Sequence, residues 1–364
     1  MCRAWSAWIS TWFLNRLGTR AGSAKRPRWP SGWKTTIFKG LARVLLSLII
    51  PVYNRPEELR ELLASLAGQT DRDFEVIVVE DGSTKTSESI ASEYGVKYHT
   101  KPNTGPGLSR NEGAALAQGD FFVFLDSDCV LPPEYVAAAK AGIERTGCDV
   151  FGGPDRAGDD FSPMQRAVSY SMTSFFTTGG IRGGGERMDK FHPRSFNMGV
   201  SRKAFEKLGG FSGMRYGEDI DFSIRLIRAG YKSVLLKDAW VCHKRRTDMR
   251  AFFRQVFHSG QARIRLERRH PHSLKAVHTL PALFTLGSAF LFCGFLFCFL
   301  AGYVQTALFC LAPLVLYALL IYVDSLLRNG PEVALLSVRA AFVQLWGYGC
   351  GFISALFCSS NHSK

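Results

Sequence analysis

The chain of 364 residues is long enough for one large domain plus an appendage, and its formal net charge of +14 is unevenly distributed. Positive charge gathers in residues 1–44, with nine Lys or Arg and no Asp or Glu, and again in residues 243–272. Apolar segments follow the second block directly, so an anionic membrane surface explains the charge better than nucleic acid does. The nine cysteines form no C-x-x-C pair and no zinc-like Cys/His spacing, and read as small buried hydrophobes in a reducing compartment.

In the first block Trp5, Trp8, Ile9, Trp12, Phe13 and Leu17 recur at helical spacing beside Arg3, Arg16 and Arg20. This is the pattern of a basic amphipathic helix in a headgroup layer; the plainer reading is a poorly ordered arm, interrupted by Pro27 and Pro30. No continuous apolar stretch with a small-residue cleavage site is present, so no secretory signal is expected.

The apolar run Val44 to Ile50 predicts a strand covered on both faces, broken by Pro51-Val52-Tyr53-Asn54-Arg55. Pro56-Glu57-Glu58 opens a helix with proline near its first position and acids in its first turn, ending near Gly68. Phe74 to Val79 predicts a second buried strand closed by Glu80-Asp81-Gly82-Ser83, and residues 96–100 a weaker third. A loop over 101–107 leads into a helix from Ser109 to Gln118, stopped by Gly119.

Next, Phe121 to Leu125 is an apolar strand ending in Asp126-Ser127-Asp128. Two carboxylates one residue apart suit a hard divalent cation such as Mg²⁺ or Mn²⁺, bound together with a substrate phosphate. The bland alternative is a turn. Strands alternating with helices imply a doubly wound parallel sheet, in which ligands bind beyond the carboxyl ends of the strands. Residues 51–54, 80–82 and 126–128 would then share one rim, which favours the metal reading.

Residues 152–194 are rich in glycine, with one helical patch over 161–176; the 178–193 part reads either as a mobile loop near the acceptor side or as an ordinary surface connection. Phe196 to Val200 predicts a strand and Arg202 to Leu208 a helix. Gly217-Glu218-Asp219 then opens another helix, where acids are ordinary dipole complements but can also face a cleft. Two short strands follow and end at His243, whose position at a strand end makes it a candidate ligand.

Residues 248–269 form a basic helix carrying Phe252, Phe253, Val256 and Phe257, either solvated or facing a membrane or a phosphate. Three apolar segments follow, over 277–302, 303–323 and 333–357. The first two make a plausible transmembrane hairpin, and the third, with Arg339 and Gln344, is the weaker span and an alternative surface helix. The basic block ahead of them predicts a cytoplasmic catalytic part by the positive-inside rule, at a bacterial inner membrane.

The ordered set SLIIPVYNR (47–55), VVEDGS (78–83), GLSRNEG (107–113), FLDSD (124–128), NMGVS (197–201), GEDIDFSIRL (217–226) and His243 resembles the family 2 glycosyltransferases. The resemblance implies the GT-A fold, an α/β mixed sheet with helices on both faces, over 45–243, followed by a juxtamembrane helix over 244–276 and a membrane region over 277–358. It implies that Pro51, Tyr53 and Asp81 hold the nucleoside of a nucleotide-sugar donor, with Arg110 and Asp126 nearby. Asp128 would be the metal ligand and His243 a second one. Asp219, beside Glu218, would be the general base of an inverting transfer to a lipid-linked or envelope-glycan acceptor. Two departures are Glu80 where Asp is commoner, and the lack of a clear Q-x-x-R-W motif, which argues for single-sugar addition. The competing readings are a nucleotidyltransferase, which would need a Gly- and Lys/Arg-rich loop after the first strand, and an inactive membrane scaffold that keeps the fold.

Overall fold

The computed structural model describes residues 44–156, 158, 161–179 and 191–358. The N-terminal arm and most of the glycine-rich 178–193 segment lie outside the described residues. In chain order the elements are β1 Leu46–Val52, α1 Pro56–Ala67, β2 Phe74–Asp81, α2 Glu88–Tyr94, β3 Lys97–Lys101, α3 Pro106–Leu116, β4 Phe121–Leu125, β5 Cys129–Val130, α4 Tyr135–Thr146, β6 Val150–Gly152 and β7 Asp155–Arg156. Then come α5 Pro163–Thr173, α6 Phe175–Thr178, β8 Asn197–Ser201, α7 Arg202–Leu208, α8 Glu218–Arg228, β9 Ser233–Leu235 and β10 Val241–His243. The chain continues through α9 Met249–Arg269, a 3₁₀ turn over Ala276–His278, α10 Leu280–Leu300, α11 Val304–Asn329 and α12 Pro331–Phe357.

These elements divide into two compact units, one of residues up to 160 and 189–244, the other of 161–188 and 245 onwards. The first contains a seven-stranded sheet of order β3-β2-β1-β4-β8-β6-β9. Strand β1 is apolar at every position but Ser47 because both faces are covered: Leu46, Leu48, Ile50 and Val52 join one core with Leu59, Leu62 and Leu63 of α1, while Ile49 joins the other. That second core holds Phe122, Phe124, Phe205, Phe211 and Phe222, whose rings meet at centroid distances of 4.8–6.2 Å.

The sheet is mixed and not wholly parallel. Strand β8 runs antiparallel to both β4 and β6, with Leu125 opposite Asn197 and Gly152 opposite Met198. A smaller sheet of order β5-β10-β7 sits beyond the end of β4 and sets His243 opposite Cys129. This register puts the last residue of β10 beside the acids that close β4.

The second unit is built on α12. Its residues Val333 and Ala340 pack with Ala167, Val168 and Met172 of α5 and with Met249, Phe252 and Val256 of α9. The Tyr170 hydroxyl donates to Asp324 Oδ2 at 2.6 Å, tying α5 to α11. Thus the catalytic stretch expected to be continuous over 45–243 is interrupted: α5 carries an apolar face that finds its partners on α9 and α12. Helices α10, α11 and α12 are each long and apolar enough to cross a membrane. Few residues of the first two are buried, whereas α12 is much more enclosed; along it Arg339 is exposed and Gln344 half-buried.

Candidate functional site

The site gathers at strand ends of the catalytic unit. Past β1, Tyr53 is 50% exposed, and Asn54 turns the chain with a φ of 54°. The Asn54 amide donates to Ser83 Oγ at 2.7 Å and its Oδ1 accepts from the Thr84 and Lys85 amides at 2.9 and 3.0 Å, so the ends of β1 and β2 are locked together. The next residue, Arg55, pairs with Asp128.

At the end of β2 the two acids do different work. Glu80 is buried, accepting from the Ser87 amide at 2.8 Å and from Tyr98 at 3.3 Å, which makes the longer acid a brace within the sheet end. Asp81 accepts from Lys101 Nζ at 2.5 Å and from the Thr104 and Gly105 amides, both at 2.9 Å. Burial alone would raise its pKa, but Lys101 and the loop amides hold it below the ordinary carboxylate value. Asp81 therefore fastens the 101–105 loop from which α3 starts.

Helix α3 carries Arg110, a buried guanidinium. Its Nη2 donates to Asp126 at 2.7 Å and its Nη1 to Glu218 at 2.9 Å, while Phe211 lies under the group at 5.4 Å. One side chain thus joins the acid after β4 to the acid opening α8, although they are ninety-two positions apart (218 − 126). Both amino groups expected near a nucleotide are engaged with carboxylates, and among the described residues the Nε has no hydrogen-bond partner.

Asp128 has Arg55 on Oδ2 and His243 Nε2 at 3.1 Å from Oδ1. The imidazole is stacked on Phe196 at 5.0 Å between centroids, which fixes the ring. Ligand atoms of Asp128, Cys129 and His243 all lie within 4.8 Å of one another.

Helix α8 begins after Gly217, whose φ of 82° is left-handed and strongly favours glycine. Close to it, a Cβ on Gly107 would stand 3.2 Å from Glu218 Cγ and 3.0 Å from Ser212 O, so α3 needs a glycine to approach α8. Glu218, Asp219 and Asp221 fill the first turn, where acids complement the helix dipole. Asp221 is fully buried against Arg225 at 2.9 Å and serves the fold. Asp219 is held through Oδ2 by Arg194 Nε at 2.6 Å and through Oδ1 by the Ile220 amide at 2.8 Å. Burial works to raise its pKa, yet Arg194 overrides this and keeps it below the ordinary carboxylate value. Glu218 behaves oppositely: burial, and then the charge of Asp219, push it up to about 7.

The structure thus brings Arg110, Asp126, Glu218 and Asp219 into one linked cluster and sets Asp128, two residues after the first of these acids, beside His243. Arg55, Lys101 and Arg194 also belong to the two sites and were not singled out from sequence. Arg55 stands inside the quoted 47–55 motif, so a signal existed. Arg194 is twenty-five residues from Asp219 and ends a glycine-rich stretch, with nothing local to mark it.

Residues 47–209 match the Glycosyl transferase family 2 profile. The glycosyltransferase AglE of Haloferax volcanii is 25% identical over 252 residues, covering 66% of this chain and 80% of that protein. A putative glycosyltransferase, EpsH, of Bacillus subtilis is 40% identical over 95 residues, 25% of this chain and 28% of that one. Among solved structures, the mannosyltransferase PcManGT of Pyrobaculum calidifontis, in complex with GDP-Man and Mn²⁺, superposes with a TM-score of 0.51 at 18% identity, covering 93% of this chain and 94% of its own. That likeness carries the fold, and the matched profile with its motifs carries the enzyme class of the stretch it covers: residues 47–209 carry a family 2 glycosyltransferase domain of GT-A fold, and the chain goes on to three helices long and apolar enough to cross a membrane.

Proposed function

We propose that the enzyme moves a sugar from a nucleotide-sugar donor to a hydroxyl of a lipid-linked or cell-envelope glycan acceptor, inverting the anomeric centre. The observation that supports this reading is the double contact of Arg110 with Asp126 and Glu218, because it brings the acid after β4 together with the acid pair of α8. An acceptor hydroxyl is a weak nucleophile until a base within hydrogen-bond reach takes its proton. Asp219 is that base: its proton acceptance accompanies attack of the acceptor oxygen on the anomeric carbon, and the bond to the nucleoside diphosphate breaks on the opposite face. Tyr53, half exposed past β1, and Pro51 offer surfaces for the nucleoside, with Asp81 holding the loop behind them.

The residues at the end of β4 fit a divalent cation. Burial lifts the Cys129 thiol well above its ordinary pKa, and its Sγ donates to Phe196 O at 3.5 Å, which sets it apart from the other two. That leaves one hard carboxylate, Asp128, and one borderline imidazole, His243, which water and diphosphate oxygens would complete for a divalent cation, Mn²⁺ more readily than Mg²⁺. When bound there, the ion would neutralise charge gathering on the departing diphosphate. The apolar helices and the basic residues before them support a membrane enzyme with its catalytic unit on the cytoplasmic face.

The test is a thermal-shift screen of nucleotide sugars with the full chain in detergent, with and without Mn²⁺. GDP-mannose and UDP-N-acetylglucosamine are the first probes. A ligand present at about a hundred times its Kd should stabilise the protein by about 2.7 kcal/mol. If no nucleotide sugar raises the unfolding temperature with the metal present, the donor reading fails.

A further inference from the structure

Around α8 three carboxylates, Asp126, Glu218 and Asp219, face two guanidinium groups, Arg110 and Arg194. Arg110 divides its charge between Asp126 and Glu218, whereas Arg194 is paired with Asp219 alone among these acids. Glu218 and Asp219 are neighbours in a buried first turn, where two negative charges repel, so one proton is retained in preference by the acid with the weaker support. Asp219 has a full counter-charge at 2.6 Å and a backbone amide at 2.8 Å. Glu218 has half of a shared one.

We propose that Arg194 is a positioning residue that selects Asp219, and not Glu218, as the ionised member of the acidic pair. This rests on reading Asp219 as the base. A carboxylate oxygen accepts two hydrogen bonds, and among the described residues each oxygen of Asp219 has one donor. Capacity for an acceptor hydroxyl therefore remains while Arg194 stays in place. The Arg194 side chain is 41% exposed, so substrate can approach beside it. The charged groups facing Asp219 are Glu218 of α8, Arg110 of α3 and Arg194 ahead of β8, with Asp155 of β7 acting on Arg194. Arg194 is the cation in direct contact. The opposed titration of the two acids described above agrees with this assignment.

The decisive measurement needs no substrate. Infrared difference spectra between the full-length protein and its Asp219→Asn variant isolate the Asp219 carboxylate band, which gives way to a carbonyl band on protonation as pH falls. The same difference is taken between Arg194→Gln and Arg194→Gln/Asp219→Asn. The midpoint for Asp219 should rise by about 1–3 pH units when the guanidinium is removed, and Arg194→Lys, which keeps a charge, should bring it back towards wild type. An unchanged midpoint in Arg194→Gln overturns the proposal. Arg194→Met serves as a second neutral variant if Arg194→Gln folds poorly. Should the midpoint shift as expected while Asp219→Asn retains full sugar transfer, the selection stands and the reading of Asp219 as base falls.

Discussion

At the end of β4, Asp126 and Asp128 are parted by Ser127 and reach different cations, Arg110 for the first, Arg55 and His243 for the second. At the head of α8, Glu218 and Asp219 are adjacent, enclosed, and supported by one shared and one dedicated guanidinium. Both are pairs of acids at the end of a regular element, yet their surroundings differ in sign. Two guanidinium groups and an imidazole from three separate segments converge on the β4 pair, the site proposed above for a divalent cation. The α8 pair is short of positive charge, so its two acids divide into one that holds a proton and one that is free to take one.

The largest expected effect comes from erasing that division. Asp219→Asn should lower the rate of sugar transfer by about 10²–10⁴-fold, the usual range for losing a general base, while metal-dependent nucleotide binding, followed by calorimetry, persists. Asp128→Asn should do the reverse: Mn²⁺ affinity falls at least about tenfold and nucleotide-sugar binding with it, whereas the acid limb of the pH–rate profile of residual activity stays where it was. A shared loss of both properties in both variants would mean that the two pairs are one site chemically.

A smaller effect concerns stability. Glu218 titrates near 7 in the folded chain against 4.5 as its ordinary value, so the folded state binds the proton more tightly. Its contribution is present below the ordinary value and lost as pH rises towards 7. Glu218→Gln should therefore flatten the decline in thermal midpoint over this window and leave the variant more stable than wild type above it, by about 3 kcal/mol at most. Least of all, Gly107→Ala pushes a methyl group against Glu218 and Ser212, costing about 1 kcal/mol by overpacking. Its larger signature should be a changed pH–rate profile, because the displaced side chain is Glu218.

Much of the catalytic unit was legible because its strands are short apolar runs closed by polar residues, a pattern set by burial on both faces; β1, β2, β4 and β8 all fall within a residue or two of where those runs stand. The reversal of β8 was not legible, since an antiparallel neighbour and a parallel one bury the same side chains. Within the site, Asp126, Asp128, Glu218 and Asp219 stood out as acids where a strand or helix ends. Their partners did not. Arg110 was read as facing a nucleotide, and only the folded chain reveals that both its amino groups are spent on carboxylates. Arg194 was invisible for the same reason: an ion pair between distant segments leaves no period or spacing in the sequence.

Helix α5 lies between β7 and β8 in the chain but packs with α9 and α12, and this has a consequence for anyone wishing to handle the enzyme in water. A protein cut after residue 244 would keep α5 and lose everything that covers it. Ala167, Val168 and Met172 would be bared, and the Tyr170 hydroxyl would lose Asp324. Such a fragment should bind its neighbours and precipitate. Removing α5 as well means closing the gap between β7 and β8 with a new linker. Soluble expression of the catalytic unit is thus a problem of excision at two places, and detergent extraction of the whole chain is the direct route to an active preparation.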